Sequence, residues 1–143
     1  MTLRVVLGPQ DEKFSRQGIE TFLSSEYTVT SDFDRMGCRL EGPFIARKET
    51  TDMISDGIAF GSIQVPSHGK PIILLADRQT TGGYPKIATV ASVDIPWLVQ
   101  RKTDHKVRFK AISVEEAQRL YLEESEELNR MRKKIHQPCK EVL

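Results

Sequence analysis

Short runs in which hydrophobic and polar residues alternate fill most of the chain before Ser113. The run "LRVVLG", from Leu3 to Gly8, is rich in β-branched residues and is followed by Pro9, which predicts a first strand. The same signals predict further strands at residues 26–31, 37–43, 62–65, 72–76, 86–93 and 106–113. Many short strands separated by Gly and Pro are typical of a barrel or a sandwich, so a mainly β fold is predicted.

Two short helical segments are predicted between these strands. From about Phe14 to Leu23 the apolar residues take helical spacings, although Gly18 weakens the pattern and indicates a short helix. In "DIPWLVQRK", Asp94 precedes Pro96 at the first helical position, which predicts a helical turn. Residues 44–51 are mixed and charged, and we expect a connection there.

A longer helix is predicted from Val114, where apolar residues recur at helical spacings. Ser113 followed by Glu116 is a capping box, and Gln137-Pro138 is a stop signal. We expect this helix to pack on the barrel along one stripe, and we disfavour a coiled coil because the heptad pattern is short. The sequence thus divides into a mainly β region at residues 1–112, predicted as a barrel or a sandwich, and a C-terminal helix and tail at residues 113–143.

Composition narrows the class of protein. The 143 residues suit one domain, and a formal net charge of +1 offers no general attraction for nucleic acid or an anionic membrane. The apolar run Ile72–Ala76 is too short to cross a bilayer, and "MTLRVVLGPQ" lacks the apolar core of a signal peptide. Cys38 and Cys139 are therefore expected to be free thiols, and the protein to be cytoplasmic.

Recognisable catalytic motifs are missing from the sequence. His68, His105 and His136 form no spaced cluster with the cysteines, so no zinc site is predicted. The sequence contains no G-x-x-x-x-G-K-[ST] phosphate loop and no G-x-S-x-G nucleophile elbow. Function must therefore be sought in polar segments of another kind.

The first polar segment is "SDFDRMGCRLEGP", residues 31–43. Its Asp32, Asp34 and Arg35 could meet a ligand, but a turn whose aspartates cap backbone amides is favoured. Met36 is expected in the core. A second candidate is Gln64, which lies between two apolar residues of a strand and so points to the opposite face, towards solvent or a ligand.

The third segment, "DRQTTGGYPK", joins two predicted strands and carries more hydrogen-bonding groups than a hairpin needs. A pure turn would use the positive φ angles of Gly82 and Gly83. A binding loop would use adjacent glycine amides to hold an anion and Arg78 to contact a carboxylate or phosphate. The surplus donors are Arg78, Gln79, Thr80, Thr81, Tyr84 and Lys86. From the residues alone the two interpretations are equally supported.

These segments carry a resemblance to a known family. The stretches "SDFDRMGCRLEGP", "GIAFGSIQVPSHGKPIILLADRQTTGGYPKIATV" and "KVRF…VEEAQ" resemble the biotin-dependent carboxyltransferase family, which includes the C subunit of 5-oxoprolinase, allophanate hydrolase subunit 2 and the KipI antagonist. The similarity runs from about Leu3 to Gln118. Cys38 departs from the pattern, since the family has tyrosine there.

The resemblance implies a cyclophilin-like β-barrel, one of the two barrels of a longer subunit. Only the C-terminal half of family members aligns, so we expect a fragment or a truncated gene product that is inactive alone. The implied partners are the N-terminal half of the same polypeptide, the KipI-like B subunit of 5-oxoprolinase and the A subunit of the same complex. The implied activity is ATP-dependent opening of 5-oxoproline to L-glutamate, with ATP acting at the level of the complex.

The resemblance also suggests roles for the polar loop. Arg78 and Lys86 would be catalytic, holding carboxylate or developing oxyanion charge. The implied substrate-binding residues are Gln64, Gln79, Thr80, Thr81, Gly82, Gly83 and Tyr84. Alternatives remain open: the carboxyltransferase domain of a urea carboxylase, with biotin as cofactor, or a non-catalytic KipI-antagonist module that docks through Phe60, Ile63 and Trp97.

Overall fold

A closed barrel of seven strands forms the body of the protein. The computed structural model describes residues 1–48 and 55–137. The strands are β1 (Thr2–Leu7), β2 (Tyr27–Phe33), β3 (Gly37–Glu41), β4 (Asp56–Gly57), β5 (Ser62–Gln64), β6 (Ile72–Leu74), β7 (Thr81–Gly82), β8 (Lys86–Val90) and β9 (Lys106–Ala111). The barrel order is β1-β8-β5-β6-β3-β2-β9, and β4 pairs with β7 outside it. The predicted mainly β barrel is confirmed.

The strand pairs of the barrel are antiparallel except at one seam. There β9 runs parallel to β1, with Thr2 opposite Arg108 and Val5 opposite Ala111. Each strand sends alternate side chains inward, so the apolar half of each alternating run fills the interior. The core includes Leu3, Val5, Val29, Cys38, Leu40, Ile63, Ile73, Ala88, Val90, Val107 and Phe109.

The first helix, α1 (Arg16–Ser24), covers one side of the barrel, close to the predicted span. The Ser15 hydroxyl accepts a hydrogen bond from the backbone N–H of Gly18 at 3.0 Å, which caps the helix. Phe22 is buried and stacks on Phe109, with 4.4 Å between ring centroids. A Cβ at Gly18 would lie 2.1 Å from the carbonyl oxygen of Ala46, so close backbone approach explains the glycine that weakened the helical pattern.

A partly buried ion pair ties the start of the chain to the predicted helical turn. A 3-10 helix at Ser92–Asp94 leads into α2 (Ile95–Val99). The Asp94 carboxylate is buried and accepts hydrogen bonds from the Arg4 backbone N–H at 2.8 Å, from Nε at 3.0 Å and from Nη2 at 2.6 Å. Three charge-assisted bonds in one place fix this turn against β1.

The last helix, α3 (Val114–Ile135), begins where the capping box predicts, and the Ser113 hydroxyl accepts from the Glu116 N–H at 3.1 Å. The expectation that it packs on the barrel along one stripe is wrong, because none of its residues is buried. Its main packing contact is with the 3-10 helix Ser92–Asp94, near its own first turn. Beyond that turn α3 leaves the barrel.

The positions of Met36 and Cys38 test two further predictions made from the sequence. Met36 is half-exposed at the rim of a cavity, so its expected place in the core is wrong. Cys38 is a free thiol in the barrel core, and Cys139 lies outside the described residues. Residues 49–51 of the expected connection also lie outside them. Within the described ranges, no helix has the length and apolar character needed to span a bilayer.

We predict that Asp94→Ala lowers the free energy of unfolding by about 2–4 kcal/mol, because it leaves the Arg4 backbone N–H and guanidinium without their shared acceptor. Urea denaturation followed by circular dichroism measures the change. Glu20→Ala is the control, since Glu20 pairs with Arg16 on the exposed face of α1 and should change stability by less than about 1 kcal/mol. Equal effects of the two substitutions would contradict the structural role of Asp94.

We predict that Cys38 resists thiol reagents in the folded protein, because burial raises the pKa of its thiol to about 12. In a Cys139→Ser variant, labelling at about pH 8 should require unfolding. Rapid labelling of the native state would contradict the burial of Cys38.

Burial also raises the pKa of Tyr27 to about 12. Since both folded-state pKa values lie above the unfolded ones, the free energy of unfolding should fall as pH rises above about 9.

Candidate functional site

A cavity of about 740 Å³ lies against the outer face of β3, β6 and β5. Ile63 and Ile73 point into the core, so the residues next to them point outward and form the cavity wall. This wall is mixed in character, with the apolar Ile72 and Leu74 beside the polar Gln64. The full lining is Asp32, Asp34, Met36, Gly37, Arg39, Ile58, Gln64, Pro66, Ser67, His68, Ile72, Leu74, Arg78, Gln79, Gly82, Gly83 and Tyr84.

The polar loop between β6 and β8 forms one side of this cavity. Its two-residue strand β7 pairs with β4, with Asp56 opposite Gly82 and Gly57 opposite Thr81. The ladder extends one step further, because the N–H of Ile58 donates to the Thr80 carbonyl at 3.0 Å. These backbone bonds hold the loop in place, so it is not a simple hairpin between two barrel strands.

Arg78 anchors the base of the loop. Its Nε donates to the Ile58 carbonyl at 3.0 Å and its Nη1 to the Leu75 carbonyl at 3.3 Å. The guanidinium also lies 5.7 Å from the centroid of the Phe60 ring. A guanidinium has five N–H donors, and the other three meet no acceptor among residues 1–48 and 55–137. Arg78 is therefore held in position and keeps donors for a ligand in the cavity.

Gln64 lies at the bottom of the cavity and is only 9% exposed, although a polar strand residue usually faces solvent. Its side-chain amide makes no hydrogen bond within the described part of the chain. A Cβ at Gly82 would lie 3.1 Å from Gln64 Nε2 and 2.9 Å from Ile58 Cδ1. The expected positive φ at Gly82 and Gly83 is wrong, because neither residue adopts one. Glycine is needed at position 82 for a different reason, because a side chain there would crowd the Gln64 amide.

The ionisable side chains around the cavity have mixed signs. Asp32 and Asp34 lie on one strand end, and Arg39 and Arg78 supply positive charge. The Asp34 carboxylate accepts from the backbone N–H groups of Met36 at 2.8 Å and Gly37 at 3.2 Å, which is the capping role favoured by the sequence. A cavity with this balance suits a small ligand that carries both a negative group and hydrogen-bond donors.

Lys86 occupies a different position from the one expected at the exit of the loop. It lies opposite Gln64 in the β5–β8 ladder, is almost fully buried and does not line the cavity. Its backbone N–H donates to Gln10 Oε1 at 2.9 Å. Among the described residues its Nζ is buried without a hydrogen-bond partner. An ammonium group in such surroundings is unfavourable unless something compensates its charge.

Six of the nine predicted site residues meet at the cavity. They are Gln64, Arg78, Gln79, Gly82, Gly83 and Tyr84, whereas Thr80, Thr81 and Lys86 do not line it. Sequence reasoning missed Arg39 and His68. Arg39 could have been found from its strand, because the alternation that buries Cys38 and Leu40 places it outside.

A smaller apolar cavity of about 350 Å³ lies nearby. It is lined mainly by Phe33, Phe60, Leu75 and Val99, with Asp34, Arg35 and Ala76. Phe60 and Trp97 are exposed, but Ile63 is fully buried in the core. The expectation that Ile63 contributes to a docking surface is therefore wrong.

Comparison with known proteins agrees with this architecture. A carboxyltransferase domain model (subdomain A and B) matches residues 1–111. The chain is 42% identical over 118 residues to the C subunit of 5-oxoprolinase from Haemophilus influenzae, covering 82% of this chain and 38% of that protein. It is 37% identical over 115 residues to the corresponding C subunit of Escherichia coli 5-oxoprolinase, covering 80% and 37%.

A solved structure extends the comparison to the fold. The crystal structure of Kluyveromyces lactis urea carboxylase superposes with a TM-score of 0.81 at 21% identity, covering 87% of this chain and 12% of that one. The chain spans less than two fifths of the length of the two 5-oxoprolinase subunits that it matches. With its barrel, its polar loop and a domain model that matches most of its length, the chain belongs to the carboxyltransferase domain family.

Proposed function

We propose that the cavity binds a small amide that carries a carboxylate, and that this chain contributes one barrel to a 5-oxoprolinase complex. The observation that carries the proposal is the Gln64 amide at the bottom of the cavity, which makes no hydrogen bond to the described residues and lies beneath Gly82, with the anchored guanidinium of Arg78 in the same cavity. Within this class of ligand we choose 5-oxoproline, because the two relatives described above are C subunits of 5-oxoprolinase.

The chemical groups of 5-oxoproline match those of the cavity. A lactam offers one N–H and one carbonyl oxygen, and the Gln64 amide can meet both because it has an acceptor and donors. The carboxylate suits the free donors of Arg78, which can bind it in a bidentate manner. Gln79 and Tyr84 would orient the ring, and Gly83 would let it approach the backbone. Because Thr80 and Thr81 do not line the cavity, their proposed contribution is indirect.

Arg78 is the proposed catalytic cation of this barrel. Opening the lactam adds water across its C–N bond, and negative charge develops on the carbonyl oxygen during attack. A fixed guanidinium can stabilise that charge by several kcal/mol when water is excluded. ATP hydrolysis would take place elsewhere in the complex, since this sequence has no phosphate loop. Biotin would fit the same Gln64 amide through its ureido group.

Lys86 is proposed to act from behind the cavity wall. Two observations support this role: Lys86 Nζ is buried without a hydrogen-bond partner among the described residues, and Lys86 lies opposite Gln64 in the β5–β8 ladder. A ligand carboxylate or an acidic group from another part of the complex would compensate the charge of Nζ. We therefore propose that Lys86 contributes to activity at the expense of the stability of this chain.

The remainder of the complex would complete the site. We propose as partners the A and B subunits of 5-oxoprolinase, together with the N-terminal half of the same polypeptide, and residues 1–112 as the interacting barrel. Without these partners the chain is expected to bind ligand weakly and to show no turnover, because groups shared between domains lose their positioning. The cytoplasm is the proposed location.

A second candidate function is protein docking without chemistry, as in a KipI antagonist. The smaller apolar cavity, lined in part by the exposed Phe60 and Val99, favours it, because an exposed apolar patch of this kind is typical of an interaction site. A urea carboxylase role would use the first cavity with urea as ligand. Comparing 5-oxoproline, urea and biotin as ligands separates these possibilities.

We predict that 5-oxoproline shifts the backbone amide resonances of Gly82 and Gly83 in an NMR titration of this chain, and that Gln64→Leu abolishes the shifts. The substitution keeps the size of the side chain but removes the amide that meets the lactam. Gln17→Leu is the matched control, because Gln17 is exposed on α1, away from the cavity. Shifts with urea alone would favour the carboxylase role, and no shifts with any ligand would contradict the proposed site.

We predict that Arg78→Ala and Lys86→Met each reduce 5-oxoproline-dependent ATP hydrolysis by roughly a hundredfold when the chain is assembled with its partner subunits. Lys86→Met should at the same time raise the free energy of unfolding by about 1–3 kcal/mol, because it removes a buried unpaired charge. Arg16→Ala, on the exposed face of α1, is the control and should change neither quantity. Full turnover in both variants would reject the catalytic assignment.

A further inference from the structure

The helix α3 carries an apolar stripe with heptad spacing, interrupted only by Glu124. Seven positions follow one another at intervals of three and four residues, which places them on one face. Six of them are apolar and one is a glutamate: Val114, Ala117, Tyr121, Glu124, Leu128, Met131 and Ile135. This is the pattern of a helix that packs against another helix along its length.

The barrel does not cover this stripe. Tyr121 and Leu128 are each 57% exposed, Met131 is 50% exposed and Ile135 is 79% exposed. Within residues 1–48 and 55–137, α3 packs mainly at its first turn, against the 3-10 helix that contains Asp94. An apolar face of this length in contact with water is a candidate interaction surface.

The charges of α3 are separated along its axis. The part before Leu128 is rich in glutamate: Glu115, Glu116, Glu123, Glu124, Glu126 and Glu127. Its one basic residue, Arg119, is already paired with Glu116 and Glu123. The part after Leu128 is basic: Arg130, Arg132, Lys133 and Lys134. In the described part of the chain none of these four cations forms an ion pair. The first half of α3 therefore carries an excess of negative charge, and the second half carries an excess of positive charge.

We propose that α3 associates with α3 of a second copy of this chain in antiparallel orientation. This arrangement places the acidic half of each helix beside the basic half of the other and buries both apolar stripes. A parallel pair would align the two acidic halves with each other and the two basic halves with each other, so the net charges of the aligned halves would repel. The charge distribution of α3 complements that of the same helix running in the opposite direction. We therefore identify the partner as a second copy of this chain.

The length of the helix sets the strength of the association. A helix of 22 residues is about 33 Å long and carries about three heptads, which is the short limit for a coiled coil. The dimer should therefore dissociate in the micromolar range rather than the nanomolar range. Screening weakens interactions between exposed charges, so association should be stronger in about 0.05 M than in about 0.5 M salt.

Sedimentation velocity of the full chain over a concentration series tests the association. Leu128→Glu should weaken dimerisation at least tenfold, because each dimer loses two buried leucines. Leu122→Glu is the matched control, since Leu122 is equally exposed on α3 but lies off the stripe. A wild-type chain that stays monomeric at tens of micromolar, or equal weakening by the two substitutions, would overturn the proposal.

Disulfide trapping tests the orientation. In a Cys139→Ser background, Ala117→Cys and Ile135→Cys place thiols near opposite ends of the stripe. An antiparallel pair should give a cross-linked dimer only when the two variants are mixed and oxidised. Cross-linking of either variant with itself at an equal or greater rate would indicate a parallel pair and would overturn the antiparallel assignment.

Discussion

The cavity depends on how the loop between β6 and β8 is held over the outer wall of the barrel. Two short ladder steps between β4 and β7, together with the bonds from Arg78 to the carbonyls of Ile58 and Leu75, fix that loop. Gly82 then sits close enough to the Gln64 amide that a Cβ would crowd it. Because the same strands send their other side chains into the core, the site and the hydrophobic core share one wall.

The strands and helices could largely be predicted from sequence, because their signals are local. Alternation places each barrel strand, and Ser113 with Glu116 marks the start of α3. Local signals could not show what packs against each face of these strands and helices. The apolar stripe on α3 predicts a packing partner for this helix, but only the coordinates show that the barrel does not cover it. Gly18 lowers helix propensity locally, and its reason is the carbonyl of Ala46, which is distant in sequence.

The residues that line the cavity could be predicted only in part, for the same physical reason. A loop rich in donors indicated binding, and five of its predicted residues line one cavity together with Gln64 of β5. The role of Gly82 was misjudged, because crowding by Gln64 depends on tertiary contact and not on turn conformation. Arg39 was overlooked because alternation gives its face but not what lies over that face. The burial of Lys86 breaks the rule that lysine stays in water, so no sequence pattern could have indicated it.

The parallel seam joins the first barrel strand to the last. Thr2 lies opposite Arg108, and the amino group of Met1 donates to the Lys106 carbonyl at 3.1 Å. Closing the ring therefore joins Met1 to Lys106, 105 positions apart in sequence, and closing a loop of that length costs conformational entropy. A topology dominated by such distant pairings folds slowly and cooperatively, and a nascent chain must keep its unpaired edges apart until the final strand emerges.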